Sequence, residues 1–226
     1  MREFGEWSSR GYLPHYNDDV VLQAVTYRLV DSLPMEVVLK IRELDKQSAP
    51  AAIRFFEHQL NKGCGSCILR DVVNASIVVD AWRFFDRRRY VLHAWVVMPN
   101  HVHVVVEPLA DWALGTIVHS WKSFTAKRIL ARRDKLARDG NFGVDFTADA
   151  GVDHSANTVR VGSSANIPKV TARKVWQREY FDTFVRSEEH YRALVRYIHQ
   201  NPVAAGLVAK AEDWPWSSAA GPIAPF

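Results

Sequence analysis

The stretch from Tyr90 to Glu107 reads YVLHAWVVMPNHVHVVVE and decides the fold. β-Branched and aromatic residues dominate both halves, and Pro99-Asn100 joins them by a short connection. This pattern predicts an antiparallel β-hairpin. Side chains two apart on a strand point to the same side, so His101 and His103 project from one face of the hairpin and the valines that alternate with them point to the other. The second strand therefore presents two imidazoles side by side.

The residues on either side of this hairpin predict further strands and helices. Residues 20–30 form a β-branched run that ends at a turn, residues 111–133 carry an apolar stripe at helical spacing, and residues 175–185 are typical of an edge strand. Ser187 is a suitable N-cap for a last helix that we expect to run to about Asn201, ahead of Pro202. This order predicts an α+β fold, a ferredoxin-like antiparallel sheet with helices packed on it.

The chain has 226 residues, of which 48% are hydrophobic, so it can bury one sizeable core. We expect a single domain over residues 1–226. Within it, residues 35–86 predict a helical insertion of two or three helices. Residues 135–169 are rich in Gly, Ser, Asn, Asp, Thr and Ala, and this composition predicts a flexible excursion outside the core.

The formal net charge of +4 is modest, but basic residues cluster on both sides of the hairpin in the sequence. Such clusters favour an anionic polymer, although a solvated helix face explains any one of them equally well. Six side chains are candidate DNA-binding residues: Arg87, Arg88, Lys122, Lys127, Arg128 and Arg132.

Cys64 and Cys67 form a single C-x-x-C motif, and a zinc ribbon would need a second ligand pair that the sequence lacks. Small, partly buried thiols are the favoured interpretation. The first residues lack an apolar signal core, and no apolar run is long enough to span a membrane. We therefore expect a cytoplasmic protein with no membrane partner.

A second motif, RYIHQNP, occupies residues 196–202. Tyr197 lies off the apolar stripe of its predicted helix, and Asn201, four residues on, shares its face. A hydroxyl nucleophile and an amide oxygen for a metal would then be stacked one turn apart. The alternative is a boundary tyrosine and a helix-ending asparagine. The motif alone leaves both possibilities open.

Together, residues 98–106 (MPNHVHVVV) and 197–208 (YIHQNPVAAGLV) resemble the REP-associated tyrosine transposases, a branch of the single-tyrosine HUH transposases, named for their His-hydrophobic-His motif. The resemblance extends in order from about residue 90 to residue 218, outside the excursion. Further matching segments are WKS at 121–123, WQR at 176–178, Phe181-Asp182, Arg186 and WPWSS at 214–218.

This resemblance implies an HUH endonuclease core and a reaction on single-stranded DNA flanked by a hairpin or a palindromic repeat. It implies a divalent metal, Mg²⁺ or Mn²⁺, held by His101 and His103 and completed by Asn201. Tyr197 would be the catalytic nucleophile of a transposase-like nickase and strand transferase, with a 5′-phosphotyrosine intermediate. A monomer and a homodimer are both compatible with it.

Two other functions remain open at this point. One is a ferredoxin-like nucleic-acid-binding module whose histidines are incidental. The other is a metal-dependent nuclease that uses water, in which Tyr197 is only structural.

Overall fold

The computed structural model of the chain describes residues 6–9, 14–17, 21–139 and 174–221, with side chains described in the last two ranges. A separate hairpin pairs β1 (Glu6–Ser9) with β2 (Pro14–Asn17). The main sheet contains β3 (Gln23–Arg28), β4 (Tyr90–Val97), β5 (His101–Pro108) and β6 (Phe181–Phe184). The helices are α1 (Met35–Gln47), α2 (Ala49–Asn61), α3 (Val72–Phe84), α4 (Leu114–Arg138) and α5 (Glu188–Ala204).

The main sheet has the order β4-β5-β3-β6, and every neighbouring pair is antiparallel. If the four strands of this sheet are numbered 1 to 4 in chain order, their order in the sheet is 2-3-1-4, which is that of a ferredoxin-like sheet. The predicted fold class is therefore confirmed. The predicted hairpin is β4 and β5. Strand β3 lies beside β5, with Thr26 opposite His103 and Arg28 opposite His101. This register brings the hydroxyl of Thr26 beside the histidines.

One face of the sheet carries the larger core. Val102, Val104 and Val106 are fully buried there against α3 and α4. The ring of Trp121 on α4 packs edge-on against Tyr90, and its Nε1 donates to the Tyr90 hydroxyl at 2.8 Å. Because this apolar layer fixes the alternation of β5, the two histidines are held on the opposite face.

Helix α5 covers that opposite face through Ile198, which is buried against Val105 and its neighbours on β4. Ser187 caps α5 as predicted, accepting a hydrogen bond from the backbone N–H of His190. The predicted end at Asn201 is one turn short, since the helix continues to Ala204 with Pro202 inside it. Proline removes one N–H donor, but the carbonyl of Asn201 still accepts from Ala205 N, which keeps the last turn closed.

The region between β3 and β4 is helical, as predicted, and consists of α1, α2, a 3-10 turn and α3. The loop after α2 is held against the end of β3. Ser66 N donates to Asp31 Oδ2 at 2.9 Å, and Gly65 has φ +91° and passes so close that a Cβ atom would lie 2.5 Å from the carbonyl oxygen of Asp31. This attachment places the C-terminal end of α2 beside the histidine strand.

The first residues of the predicted excursion, Lys135 to Arg138, are instead the last turn of α4. The helical periodicity of α4 outlasts its apolar stripe, so the sequence pattern placed the boundary too early. The rest of the predicted excursion, from residue 140 on, lies outside the described residues. No helix in the described ranges is long and apolar enough to cross a membrane.

Candidate active site

The two histidines of β5 converge on one point. His101 is 1% exposed and His103 is 3% exposed, and their Nε2 atoms lie 3.1 Å apart. The other nitrogen of each ring is already engaged: His101 Nδ1 lies 2.7 Å from Asn100 Oδ1, and His103 Nδ1 lies 2.7 Å from Thr26 Oγ1. The hydrogen bonds at Nδ1 therefore fix the orientation of both rings, and the Nε2 atoms are the ones that converge.

The Asn100 side chain determines the tautomer of His101. Asn100 Nδ2 donates to the backbone carbonyls of Leu60 and Cys64, so Oδ1 is the atom that faces the ring and it can only accept. His101 must then carry its proton on Nδ1, which leaves a lone pair on Nε2. Burial lowers the pKa of His103 to about 3, and burial followed by the neighbouring His103 holds the pKa of His101 well below its ordinary value. Both imidazoles are neutral at physiological pH.

Helix α5 brings Tyr197 and Asn201 to these histidines. The rings of His103 and Tyr197 meet edge-on with centroids 5.4 Å apart, and Asn201 Nδ2 lies 3.3 Å from His103 Nε2, although 98 positions separate Asn201 from His103. The Tyr197 hydroxyl and Asn201 Oδ1 are both buried and neither has a hydrogen-bond partner among the described residues. Two polar atoms are thus buried without partners at the point where the imidazoles converge.

Glu57 of α2 is a site residue that the sequence analysis missed. Its carboxyl lies close enough to the Tyr197 hydroxyl for each group to shift the pKa of the other. Burial raises the pKa of the Tyr197 phenol, and the charge of Glu57 raises it further. Burial also raises the pKa of Glu57 itself. No local motif marks Glu57, because its position depends on how the end of α2 is attached to Asn100.

The donors present fit a divalent cation. Two neutral imidazole nitrogens on one rigid strand are common ligands for such ions. Within the described ranges, no group of three His, Cys, Asp or Glu side chains forms a metal cluster. An amide oxygen is another group that can bind such an ion. Asn201 Oδ1 has no hydrogen-bond partner in the part of the chain that the structure describes, and rotating its amide by half a turn exchanges Oδ1 with the nitrogen that faces His103.

Comparisons with known proteins show that this chain is similar to transposases. The sequence model of a family described as "Transposase IS200 like" matches residues 81–160, which include both histidines. A REP-associated tyrosine transposase of Escherichia coli (strain K12) is 24% identical over 131 residues, covering 58% of this chain and 55% of the relative. A putative REP-associated tyrosine transposase of Haemophilus influenzae is 34% identical over 53 residues, covering 24% of this chain and 30% of the relative.

The predicted resemblance to REP-associated tyrosine transposases is confirmed. The alignments span about half the length of the Escherichia coli relative and less of the other. Among solved structures, a REP-associated tyrosine transposase bound to a REP hairpin is matched with a TM-score of 0.47 and 17% identity, covering 95% of this chain and 88% of that one. A putative transposase from Deinococcus radiodurans R1 is matched with a TM-score of 0.38 and 14% identity, covering 86% and 95%.

The six basic residues proposed for DNA binding do not surround the histidines in space. Lys127 and Arg128 are exposed on α4, which packs on the opposite face of the sheet. Arg87 and Arg88 are exposed in the turn before β4, whose eight residues place them about 25 Å from the histidine end of the hairpin. These basic residues are thus close to the histidines in sequence but not in space. The contact of the basic residues with DNA remains a prediction.

Arg132 and Lys122 have partners within the fold. Arg132 Nη2 lies 3.0 Å from Asp71 Oδ2, and Asp71 is the N-cap of α3, so this pair joins α3 to α4. Lys122 Nζ donates to the backbone carbonyl of Arg178 at 2.6 Å. Burial lowers the pKa of Lys122 to about 8. Lys122 also lines a cleft between α4 and the segment before β6.

His199 and the two cysteines are not directed at the Tyr197 hydroxyl. His199 Nε2 lies 2.8 Å from Ser218 Oγ, so its ring is directed toward the C-terminal 3-10 turn and not toward Tyr197. Cys64 and Cys67 are free thiols, half-buried and buried respectively. This burial agrees with the prediction of small, partly buried thiols, and it raises the pKa of both, to about 11 for Cys67.

Proposed function

We propose that this chain is a transposase-like enzyme that nicks and rejoins single-stranded DNA through Tyr197. The observation that carries the proposal is the convergence of His101, His103, Tyr197 and Asn201 from two distant segments on one face of the sheet. The similarity to REP-associated tyrosine transposases supports the same function. The substrate that this similarity suggests is single-stranded DNA flanked by a hairpin or a palindromic repeat.

In the proposed reaction, Tyr197 Oη attacks the phosphorus of a DNA phosphodiester. The new P–O bond to tyrosine forms as the bond from phosphorus to the 3′ oxygen breaks. The phenolic proton is lost, the 3′ oxygen gains a proton, and the products are a 5′-phosphotyrosine and a free 3′ hydroxyl. The phosphodiester bond energy is kept in the adduct. The reverse reaction can therefore join a new 3′ hydroxyl to the phosphate and release Tyr197.

The chain's own residues arrange this reaction. Asn100 and Thr26 orient the two imidazoles so that their Nε2 atoms converge. Asn201 lies one helical turn from Tyr197 and close to His103. Glu57 faces the Tyr197 hydroxyl, and its carboxylate can accept the phenolic proton. Because burial raises the pKa of Glu57, its carboxylate is a stronger base than an exposed one.

A divalent metal, Mg²⁺ or Mn²⁺, is part of the proposal, with His101, His103 and Asn201 as its ligands. When bound, it would offset the negative charge that develops on the phosphate oxygens. One chain supplies Tyr197 together with the two histidines, which supports action within a single subunit. A homodimer is therefore not required by the proposal.

The test uses labelled oligonucleotides that form a hairpin with randomised single-stranded flanks, incubated with Mn²⁺ or Mg²⁺. Covalent protein–DNA adducts are captured on a denaturing gel and their flanks are sequenced. We expect adducts with the wild-type chain and none with Tyr197→Phe or His101→Ala. Cleavage by Tyr197→Phe that leaves free 5′ phosphates would establish a water-using nuclease. Binding without cleavage over the whole randomised pool would favour a nucleic-acid-binding module.

A further inference from the structure

A cavity of about 350 Å³ lies beside the histidines, between the α1–α2 hairpin and strands β3 and β6. Thr26 and Arg28 of β3 line it, and both side chains are on the sheet face that carries the histidines. Thr26 Oγ1 is also the atom that lies 2.7 Å from His103 Nδ1. The cavity therefore shares a wall residue with the proposed metal site.

The lining of the cavity is mostly apolar and partly aromatic. Ile53 and Phe56 of α2 line it, as do Tyr180 and Phe181, just before and at the start of β6. Its volume is far above the roughly 30 Å³ that one water molecule occupies in the liquid and is at the lower end of small-ligand pockets. A cavity lined by aromatic side chains and a few polar groups suits a planar heterocycle.

A basic cleft adjoins this cavity. The segment that carries Gln177 and Tyr180 lines the cavity on one side and, on the other, a cleft of about 490 Å³ against α4. Both spaces are lined by more basic than acidic side chains. The acidic ones are Asp45 and Glu179 in the cavity and Glu179 in the cleft. The basic residues are Arg28, Arg42 and Lys46 in the cavity and Lys122, Lys174 and Arg178 in the cleft. This charge favours an occupant attached to a chain of phosphates.

We propose that the cavity binds one unpaired base of the DNA strand whose phosphate is presented to Tyr197, while the basic cleft holds neighbouring phosphates. This inference rests on the proposed function. A base withdrawn from stacking gains contacts with aromatic walls, and stacking of this kind tolerates any base sequence. Seating a base beside Thr26 would fix the register of the strand relative to the histidines, so the α1–α2 hairpin would position the substrate.

The first measurement is binding of fluorescein-labelled 20-mers in EDTA, where no cleavage is expected. One oligonucleotide is single-stranded and randomised at every position, and the other has the same backbone with abasic tetrahydrofuran units throughout. Phe56→Ala removes one aromatic wall. The matched control is Phe55→Ala, because Phe55 is on the same helix but does not line the cavity and its ring packs beneath Lys40.

We expect Phe56→Ala to weaken binding of the base-containing strand by about tenfold, the effect of losing one stacking partner, and to leave binding of the abasic strand unchanged. Phe55→Ala should change neither affinity. Equal losses for both strands in Phe56→Ala, or no loss in either, would overturn the base pocket while leaving the nickase proposal intact. If the wild-type chain binds neither strand, the base pocket is overturned, while the nickase proposal is decided separately by the adduct assay on hairpin DNA.

A second measurement does not depend on any variant. Random 20-mers that contain 5-iododeoxyuridine are irradiated with the wild-type chain, and the crosslinked peptides are identified by mass spectrometry. We expect crosslinks at Phe56, Tyr180 or Phe181. Crosslinks confined to other aromatic residues would place the base elsewhere and overturn the inference.

Discussion

Asn100 connects the helical region to the first histidine. Its Oδ1 lies 2.7 Å from His101 Nδ1, while its Nδ2 donates to the carbonyls of Leu60 and Cys64, at and just after the end of α2. One buried side chain thus fixes both the orientation of a proposed metal ligand and the position of the helix that carries Glu57.

Asn100→Ala should therefore weaken divalent metal binding by about 10- to 100-fold, because His101 loses the group that orients it. It should also destabilise the fold by about 1–3 kcal/mol, since two buried carbonyls lose their donor. The measurements are Mn²⁺ titration calorimetry and chemical denaturation. Asn74→Ala is the control: Asn74 is buried and donates to Ile68 O on the other face, so it should cost stability without changing Mn²⁺ affinity. Unchanged Mn²⁺ affinity in Asn100→Ala would contradict the orienting role.

Glu57→Gln removes the carboxylate that faces Tyr197. We expect the rate of adduct formation to fall by about 10²- to 10⁴-fold if Glu57 accepts the phenolic proton. The pKa of Tyr197 should fall as well, because the charge of Glu57 raises it. Phenolate absorbance, compared between Glu57→Gln with and without Tyr197→Phe, isolates this titration. Glu43→Gln is the matched control, since Glu43 is exposed and pairs with Lys46. Wild-type rates in Glu57→Gln would show that another group takes the proton.

Lys122 should make DNA binding sensitive to pH. Burial lowers its pKa to about 8, so the amine is charged below that pH and neutral above it. A bound phosphate favours the charged form, so binding takes up a proton and weakens as pH rises through about 8. Anisotropy titrations of single-stranded DNA at pH 7, 8 and 9 and constant ionic strength measure this. Lys122→Arg stays charged and should abolish the dependence. The same pH profile in both chains would exclude Lys122 as its source.

Arg128 and Arg132, one turn apart on α4, should behave differently. Arg132→Ala breaks the ion pair with Asp71 and should lower the melting temperature, while the salt dependence of DNA binding stays unchanged. Arg128 is exposed, so Arg128→Ala should leave stability unchanged. If Arg128 contacts a phosphate, this substitution should reduce the slope of log affinity against log salt by about 0.7. A slope that changes for Arg132→Ala but not for Arg128→Ala would reverse this assignment.

Much of the fold could be predicted because its patterns are local. The alternation around His101 and His103 fixes which side chains share a face, and the 3.6-residue stripe near Ile198 fixes the buried side of α5. The turn at Pro99-Asn100 makes the hairpin antiparallel. These features need only neighbouring residues, so the family resemblance, the strands of the main sheet and the presence of its helices were accessible from the sequence, whereas the β1–β2 hairpin and the ends of α4 and α5 were not.

The sequence by itself determined that two imidazoles share one face of a strand and that Tyr197 and Asn201 share one face of a helix. Only the tertiary structure decided that these faces meet, because the contact depends on how α5 packs across the sheet. It also decided that Glu57, Thr26 and Asn100 lie beside the proposed reacting groups. The basic residues of α4 lie on the opposite face of the sheet. Contacts between distant segments depend on strand register and helix packing, and no local pattern records them.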